Sequence, residues 1–193
     1  MTGIILLAAG ASQRLGKPKQ SLIYKGETLL HHAMNVALSI CPETVVVVLG
    51  SEAETLKQEV KDGRIHVIIN TDWNEGMSSS IRHGLLSLLR LHPVAEAVII
   101  MVCDQPHVSP ELLKELQEVR YRTHKKIIAS AYGEVAGVPA LFDKSFFPDL
   151  LALRDQEGAK KIIRMNFSEV ETVSFPEGII DIDTKEDYEA LEK

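Results

Sequence analysis

The stretch Gly3-Ile4-Ile5-Leu6-Leu7-Ala8-Ala9-Gly10-Ala11-Ser12-Gln13-Arg14-Leu15-Gly16-Lys17-Pro18-Lys19-Gln20 passes from an unbroken apolar run into a small-residue loop that carries three cations. Ile4 to Leu7 is too short for a helix and is bounded by Gly3 and by Ala8-Ala9-Gly10, which suits a strand buried on both faces. In an open α/β sheet, ligands bind outside the carboxyl ends of strands, where successive backbone N–H groups converge on an anion. Gly10 and Gly16 permit close approach, and Arg14, Lys17 and Lys19 bring positive charge to the same place. The loop therefore reads as a polyphosphate site, against the alternative of a surface loop whose cations only solubilise it.

Two other phosphate motifs are excluded by spacing. A P-loop needs four residues between its glycines and then Lys-Ser/Thr, whereas five separate Gly10 from Gly16 and Lys17 precedes Pro18. The dinucleotide fingerprint fails because position 12 is Ser and no third glycine falls at the required offset.

Composition narrows the partner. A chain of 193 residues is read as one domain over 1–193, with length enough for a substantial core. The formal net charge of −6 argues against a broad nucleic-acid or acidic-membrane surface, so the cations of the first loop mark a local site for a small ligand. Cys41 and Cys103 lack C-x-x-C spacing, which suggests neither a disulfide framework nor a zinc site and fits a reducing cytoplasm. The apolar start has no basic residue before it, unlike a signal peptide, and no apolar run reaches the ~18 residues of a membrane span.

Along the chain, Ser21 to Tyr24 reads as a short extended piece, Thr28 to Ile40 as a helix and Thr44 to Leu49 as a strand ended by Gly50. His31 and His32 are adjacent and cannot share one helical face, so they read as solvated or satisfied histidines rather than ligands. Ser51 and Glu54 form an S-x-x-E capping box for a helix to about Asp62, and Ile65 to Ile69 is the next strand. The polar stretch Asn70 to Ser80 opens a helix to about Leu91. Its Gly76, Ser79 and Ser80 are candidates for reading a base edge or phosphate, with plain capping as the alternative.

Ala97 to Val102 is another buried strand, followed by Cys103-Asp104-Gln105-Pro106 and a helix with Ser109 as its cap and Pro110 at its first position. An aspartate at the carboxyl end of a central strand suits a divalent ion, so Asp104 is the candidate metal ligand. Mg²⁺ fits best, because it takes oxygen donors and usually combines one or two carboxylates with substrate phosphates. His107 is a candidate lining residue.

Ile127 to Ala131 and Gly133 to Phe142 read as a hairpin whose second arm, containing Pro139, should lie on an edge or bulge. Gly137 is positioned to let backbone approach an acceptor. Asp155 to Lys161 opens a short helix to Met165 whose lysines suit an acceptor phosphate or simply solvent. Glu171 to Ser174 is extended. If Ile180-Asp181-Ile182-Asp183 is extended too, both carboxylates face one side and Asp181 or Asp183 becomes the second metal ligand, with capping of the T-x-x-D helix at Thr184 to Asp187 as the alternative. Strands alternating with helices throughout predict a three-layer α/β/α sandwich with a mostly parallel sheet.

The pattern L-A-A-G-x-S-x-R-x-G-x-P-K-Q resembles the signature of nucleotidyltransferases that join a nucleoside monophosphate to a phosphorylated acceptor and release pyrophosphate. Together with N-x-x-W-x-x-G-M-x-x-S from Asn70, C-D-Q-P from Cys103, G-V-P from Gly137 and D-I-D-T-x-E-D from Asp181, it resembles the molybdenum cofactor cytidylyltransferases of the MobA-like group, some of which serve xanthine dehydrogenase. The resemblance covers nearly the whole chain. It implies a Rossmann-like nucleotidyltransferase fold and transfer of CMP from CTP to molybdopterin-bound molybdenum. It also implies nucleotide contacts from Leu7, Ala8, Ala9, Gly10, Ser12, Arg14 and Lys19, catalytic roles for Arg14, Lys19 and Asp104, and metal binding by Asp104 with Asp181 or Asp183. Guanylyltransferases of the group typically have Gly where Ala9 stands, which favours CTP over GTP. Two other readings stay open: a nucleotidyltransferase with a sugar phosphate or methylerythritol phosphate acceptor, and a non-catalytic chaperone that delivers finished cofactor to an apo molybdenum hydroxylase.

Overall fold

The computed structural model describes residues 1–12, 15–182 and 184–191. A seven-stranded sheet is built from β1 (Thr2–Ala8), β4 (Val45–Leu49), β5 (Ile65–Ile69), β6 (Ala97–Val102), β7 (Ile127–Tyr132), β8 (Val135–Asp143) and β9 (Val170–Ser174), and β2 (Ile23–Tyr24) pairs with β3 (Glu27–Thr28) as a separate ribbon. The order is β5-β4-β1-β6-β8-β7-β9. The four strands from β5 to β6 are parallel, β8 runs antiparallel to both β6 and β7, and β9 pairs parallel with β7.

Alternation along β1 supplies both cores. Ile4, Leu6 and Ala8 join Val45, Val47, Leu49, Ile99 and Met101 under α1 (Leu29–Ile40), α2 (Ala53–Lys57) and α4 (Pro110–Thr123). Ile5 and Leu7 join Val46, Val48, Val98 and Ile100 under α3 (Met77–Leu91), α5 (Phe147–Leu151) and α6 (Ala159–Met165) on the other face. Strands apolar at every position are what a parallel sheet covered on both sides requires, and the three-layer sandwich follows. A final helix, α7 (Lys185–Leu191), packs Tyr188 and Leu191 against Leu15, Leu22 and Leu29.

Several local expectations hold. Ser109 accepts the Leu112 N–H at 3.3 Å with Pro110 in the first turn, and Thr184 and Asp187 exchange backbone and side-chain hydrogen bonds. His31 and His32 are satisfied by the Glu59 carbonyl and the Glu27 carboxylate.

Others are corrected. The Ser51/Glu54 capping box does not form: α2 covers only Ala53–Lys57, after Glu52, because the Ser51 N–H is tied to Ala9 O at 3.3 Å and its buried hydroxyl faces no partner among the described residues. Beyond Lys57 the chain tightens into i→i+3 bonds up to Val60 instead of continuing to Asp62. Of the edge or bulge expected for the strand with Pro139, the bulge is what is found: β8 lies between β6 and β7. It tolerates proline because pairing with β6 ends at Ala140 and the register with β7 shifts past Val138 and Pro139, so no ladder N–H is needed there. Ile180 and Ile182 belong to no strand, since the Pro176–Ile179 turn intervenes.

Gly84 is where α3 meets the sheet closely. A Cβ there would come within 2.6 Å of Ile5 Cγ2 and 3.0 Å of Val48 Cγ2, both on stiff β-branched side chains in central strands. Gly84→Ala is therefore expected to lose about 1–2 kcal/mol by urea denaturation, overpacking outweighing the ~1 kcal/mol gain in helix propensity. Unchanged or raised stability would show that α3 can slide on the sheet.

Candidate active site

The chain runs from β1 out through β4 to β5 and then returns to place β6 on the other side of β1. Loops leaving β1 and β6 therefore diverge, and a cleft opens at their carboxyl ends. This cleft holds about 380 Å³ and is lined by Leu7 to Ala11, Lys19, Gln20, Trp73, Gly76, Met77, Ser80, Val102, Cys103, Asp104 and Gln156, among others. Leu7, Ala8, Ala9, Gly10, Lys19, Gly76, Ser80 and Asp104 of the expected set thus come together, from three segments far apart in sequence.

Two cross-links fasten the loop after β1 on itself. Ser12, at φ 46°, accepts the Lys19 N–H on its hydroxyl at 2.9 Å, and Gln20 donates from Nε2 to the carbonyls of Ala8 at 2.8 Å and Gly10 at 3.0 Å. The N–H groups of Gly10, Ala11 and Ser12 donate to no acceptor among the described residues. Consecutive unpaired amides of this kind are an anion-binding concavity. Lys19 Nζ is ion-paired with an Asp104 carboxylate oxygen, both side chains being less than one-fifth exposed. A cation thus already sits on the carboxylate at the end of β6.

On the opposite wall, Gly76 has φ 111° and begins α3. A Cβ at Gly76 would meet Asp155 O at 2.7 Å and Gln156 Oε1 at 2.8 Å, so the residue is glycine for both dihedral and space. The serines that follow divide by role. Ser78 donates to Asp155 O at 2.6 Å, and Ser79 accepts from Asn70 at 2.7 Å while donating to Asp72 O or Gly76 O. Ser79 is fully buried and does not line the cleft, which corrects its expected place among the ligand contacts. Ser80 accepts from Asn70 at 3.0 Å and keeps its hydroxyl proton beside the cleft. Ser12 also acts within the loop and is not on the cleft wall.

A second cleft of about 830 Å³ adjoins the first and shares Met77, Val102, Asp104 and Gln156 with it. Its walls include Tyr132, Lys160, Lys161, Arg164 and Asp181. The Ile182 N–H donates to Asp104 O at 3.1 Å, which fixes the closing segment against the end of β6 and brings Asp181 to the cleft that Asp104 also lines. Gly137 is absent from that wall: its missing Cβ makes room for Tyr132 Oη and Lys160 Cε, 2.2 and 2.8 Å from where it would lie. His107 lines neither cleft and stacks edge-on against Tyr24 instead. Arg14 and Asp183 lie outside the described residues.

No group of three or more His, Cys, Asp or Glu that could hold a metal occurs among the described residues. The two carboxylates expected to hold a divalent ion, Asp104 and Asp181, both line the second cleft. Cys103 is no nucleophile: burial first, then the neighbouring Asp104, pushes its thiol up to about 12 from 9.0. Burial also raises Cys41.

The chain belongs to the MobA-like NTP transferase family, whose domain it matches over residues 4–172. It is thus a nucleotidyltransferase. Among curated relatives, the nicotine blue oxidoreductase of Paenarthrobacter nicotinovorans is 34% identical over 110 residues, a match spanning 56% of this chain and about half, 52%, of that protein. The purine catabolism protein PucB of Bacillus subtilis is 26% identical over 98% of this chain and 95% of its own length, and a probable molybdenum cofactor guanylyltransferase of the same species is 24% identical over 98% and 94%. The crystal structure of Rv0371c from Mycobacterium tuberculosis superposes with a TM-score of 0.84 at 29% identity, covering 98% of this chain and 96% of that one, and a manganese complex of Rv0371c with a TM-score of 0.78 at 27% identity, over the same shares. No helix among the described residues is long and apolar enough to cross a membrane.

The raised Cys103 pKa makes a prediction about both thiol chemistry and stability. Iodoacetamide at neutral pH should leave Cys41 and Cys103 unmodified in the native chain and label both after denaturation. The folded state holds the Cys103 proton more tightly than the unfolded state, so this contribution is complete below pH 9.0 and is lost as pH rises toward about 12. Rapid native-state labelling of Cys103 would contradict its burial.

Proposed function

We propose that this nucleotidyltransferase transfers CMP from CTP to molybdopterin-bound molybdenum cofactor, releasing pyrophosphate. The observation that carries the reading is that the amides of Gly10 and Ala11, without an acceptor among the described residues, and the Lys19–Asp104 pair line one cleft, which adjoins a second bordered by Lys160, Lys161 and Arg164. Triphosphate lies over the amides, the base reaches the wall of Gly76 and Ser80, and the acceptor occupies the cleft of Lys160, Lys161 and Arg164. Names of full-length relatives support the acceptor: PucB in purine catabolism and a guanylyltransferase acting on molybdenum cofactor.

The chemistry asks for positioning and charge rather than a covalent intermediate. An acceptor phosphate oxygen, already anionic, attacks the α-phosphorus, and the bond to the β-phosphate oxygen breaks as pyrophosphate leaves. No general base is needed. Lys19 and Arg14 stabilise charge on the α-phosphate and the departing pyrophosphate, while the amides of Gly10 to Ser12 hold its oxygens. Asp104, with Asp181 or Asp183, would hold a divalent ion, Mg²⁺ in preference, that supplies further charge neutralisation when bound. The fit rests on hard oxygen donors and on the ammonium of Lys19 standing where a cation is wanted; the manganese complex of Rv0371c supports divalent-ion use.

CTP is favoured because guanylyltransferases of the group typically carry Gly where Ala9 lines the cleft. GTP is the second reading, favoured by the guanylyltransferase relative. Pyrophosphate release with Mg²⁺, measured in parallel for CTP and GTP with and without molybdopterin cofactor, is expected with CTP and cofactor only. GTP-dependent release would overturn the base assignment, and release from neither would favour another acceptor or a cofactor chaperone. Lys19→Ala and Asp104→Ala should each lower turnover by roughly 100-fold or more while the chain stays folded, both side chains lying outside the two apolar cores of the sheet. Ala9→Gly should raise activity with GTP relative to CTP.

A further inference from the structure

Gln20 is a polar side chain only 1% exposed, beneath a loop whose function depends on which way its peptide groups face. Each peptide unit points its carbonyl and N–H in opposite directions, so fixing the Ala8 and Gly10 carbonyls toward Gln20 turns the amides of the same units, at Ala9 and Ala11, the other way. The carboxamide fixes both carbonyls through one nitrogen, while its oxygen receives the Ser12 hydroxyl at 3.5 Å. Nε2 must face these partners because a carbonyl only accepts. Ser12 ties the same clamp to the Lys19 backbone. An apolar side chain of similar size would fill the space but leave the Gly10 carbonyl, which lies beyond the strand, free to turn outward, toward the anion.

We infer that Gln20 is a positioning residue that, by holding the Gly10 carbonyl, presents the Ala11 amide to the β- and γ-phosphates of the nucleotide, acting through the loop. The inference rests on the reading of this cleft as a nucleoside triphosphate site, and it is independent of base and acceptor. It makes the clamp specific for the polyphosphate: loss of Gln20 weakens triphosphates and spares monophosphates, which engage the base wall and the α-phosphate position.

The protein carries one tryptophan, Trp73, on the cleft wall, so its fluorescence reports binding without turnover. CTP and CMP are titrated with Mg²⁺ against the wild-type chain and Gln20→Met, with GTP and GMP in parallel. Thermal unfolding is followed on the same samples. The expected result is a dissociation constant raised about tenfold or more for the triphosphate with little change for the monophosphate. If Gln20→Met does not fold, Ser12→Ala, in a half-exposed loop residue, loosens the same clamp and should show a smaller loss confined to the triphosphate.

Equal losses for triphosphate and monophosphate would mean a general collapse of the cleft, and unchanged affinities would mean that the loop holds its shape unaided; either overturns the inference. Discrimination seen with GTP and GMP while CTP binds poorly supports the clamp and overturns only the base assignment. A wild-type chain that binds no triphosphate overturns both.

Discussion

Everything at the site depends on β1 being buried on both faces and paired on both edges. Ile4, Ile5 and Leu6 have no exposure, and the strand is held in parallel register by β4 and β6. Such a strand cannot shift without moving apolar side chains out of two cores at once. Its end is therefore a fixed point, beyond which Gly10 to Ser12 leave the sheet, their amides meeting no acceptor among the described residues. The ion pair between Lys19 and Asp104 joins that loop to the end of β6 across the gap that strand order creates.

Charge and shape then separate two tasks. The loop cleft offers backbone donors and one cation–carboxylate pair, an arrangement suited to a flexible chain of phosphates. The adjoining cleft is larger and is bordered by α6 cations and Tyr132, whose ring lies 5.5 Å from Lys160 Nζ. Asp104 lies on both walls, so its carboxylate stands where the two clefts meet. That shared carboxylate makes the geometry suited to joining two molecules rather than cleaving one.

Much of this was legible in the sequence because parallel strands and phosphate loops leave local marks. The apolar runs of β1, β4 and β6, the turn at Gly10 and the Asp104 position all follow from adjacent residues. What was illegible depends on contacts between distant segments. Gln20 reads as an ordinary polar residue until folding brings it under the carbonyls of Gly10 and Ala8, ten and twelve positions before it. Ser79 looks equivalent to Ser80, yet one faces Asp72 and the other the cleft. The S-x-x-E pattern at Ser51 misleads because its N–H was already engaged by Ala9, whereas Pro139 marked an edge or a bulge and the strand order, set by distant segments, makes it the bulge. The second cleft, made from residues between Met77 and Asp181, has no signature in any one stretch.

The central claim is that one cleft holds a metal–triphosphate complex on the carboxylate of Asp104 and the amides of Gly10 to Ser12. A crystal structure of the chain with CTP and Mn²⁺, using the anomalous signal to locate the ion, tests it most directly. The account predicts a manganese peak on Asp104 shared with phosphate oxygens, the Lys19 ammonium displaced from that carboxylate, and the β- and γ-phosphates over Gly10, Ala11 and Ser12. A nucleotide bound elsewhere, or an ordered triphosphate in the cleft with Lys19 still on Asp104 and no ion there, would contradict it.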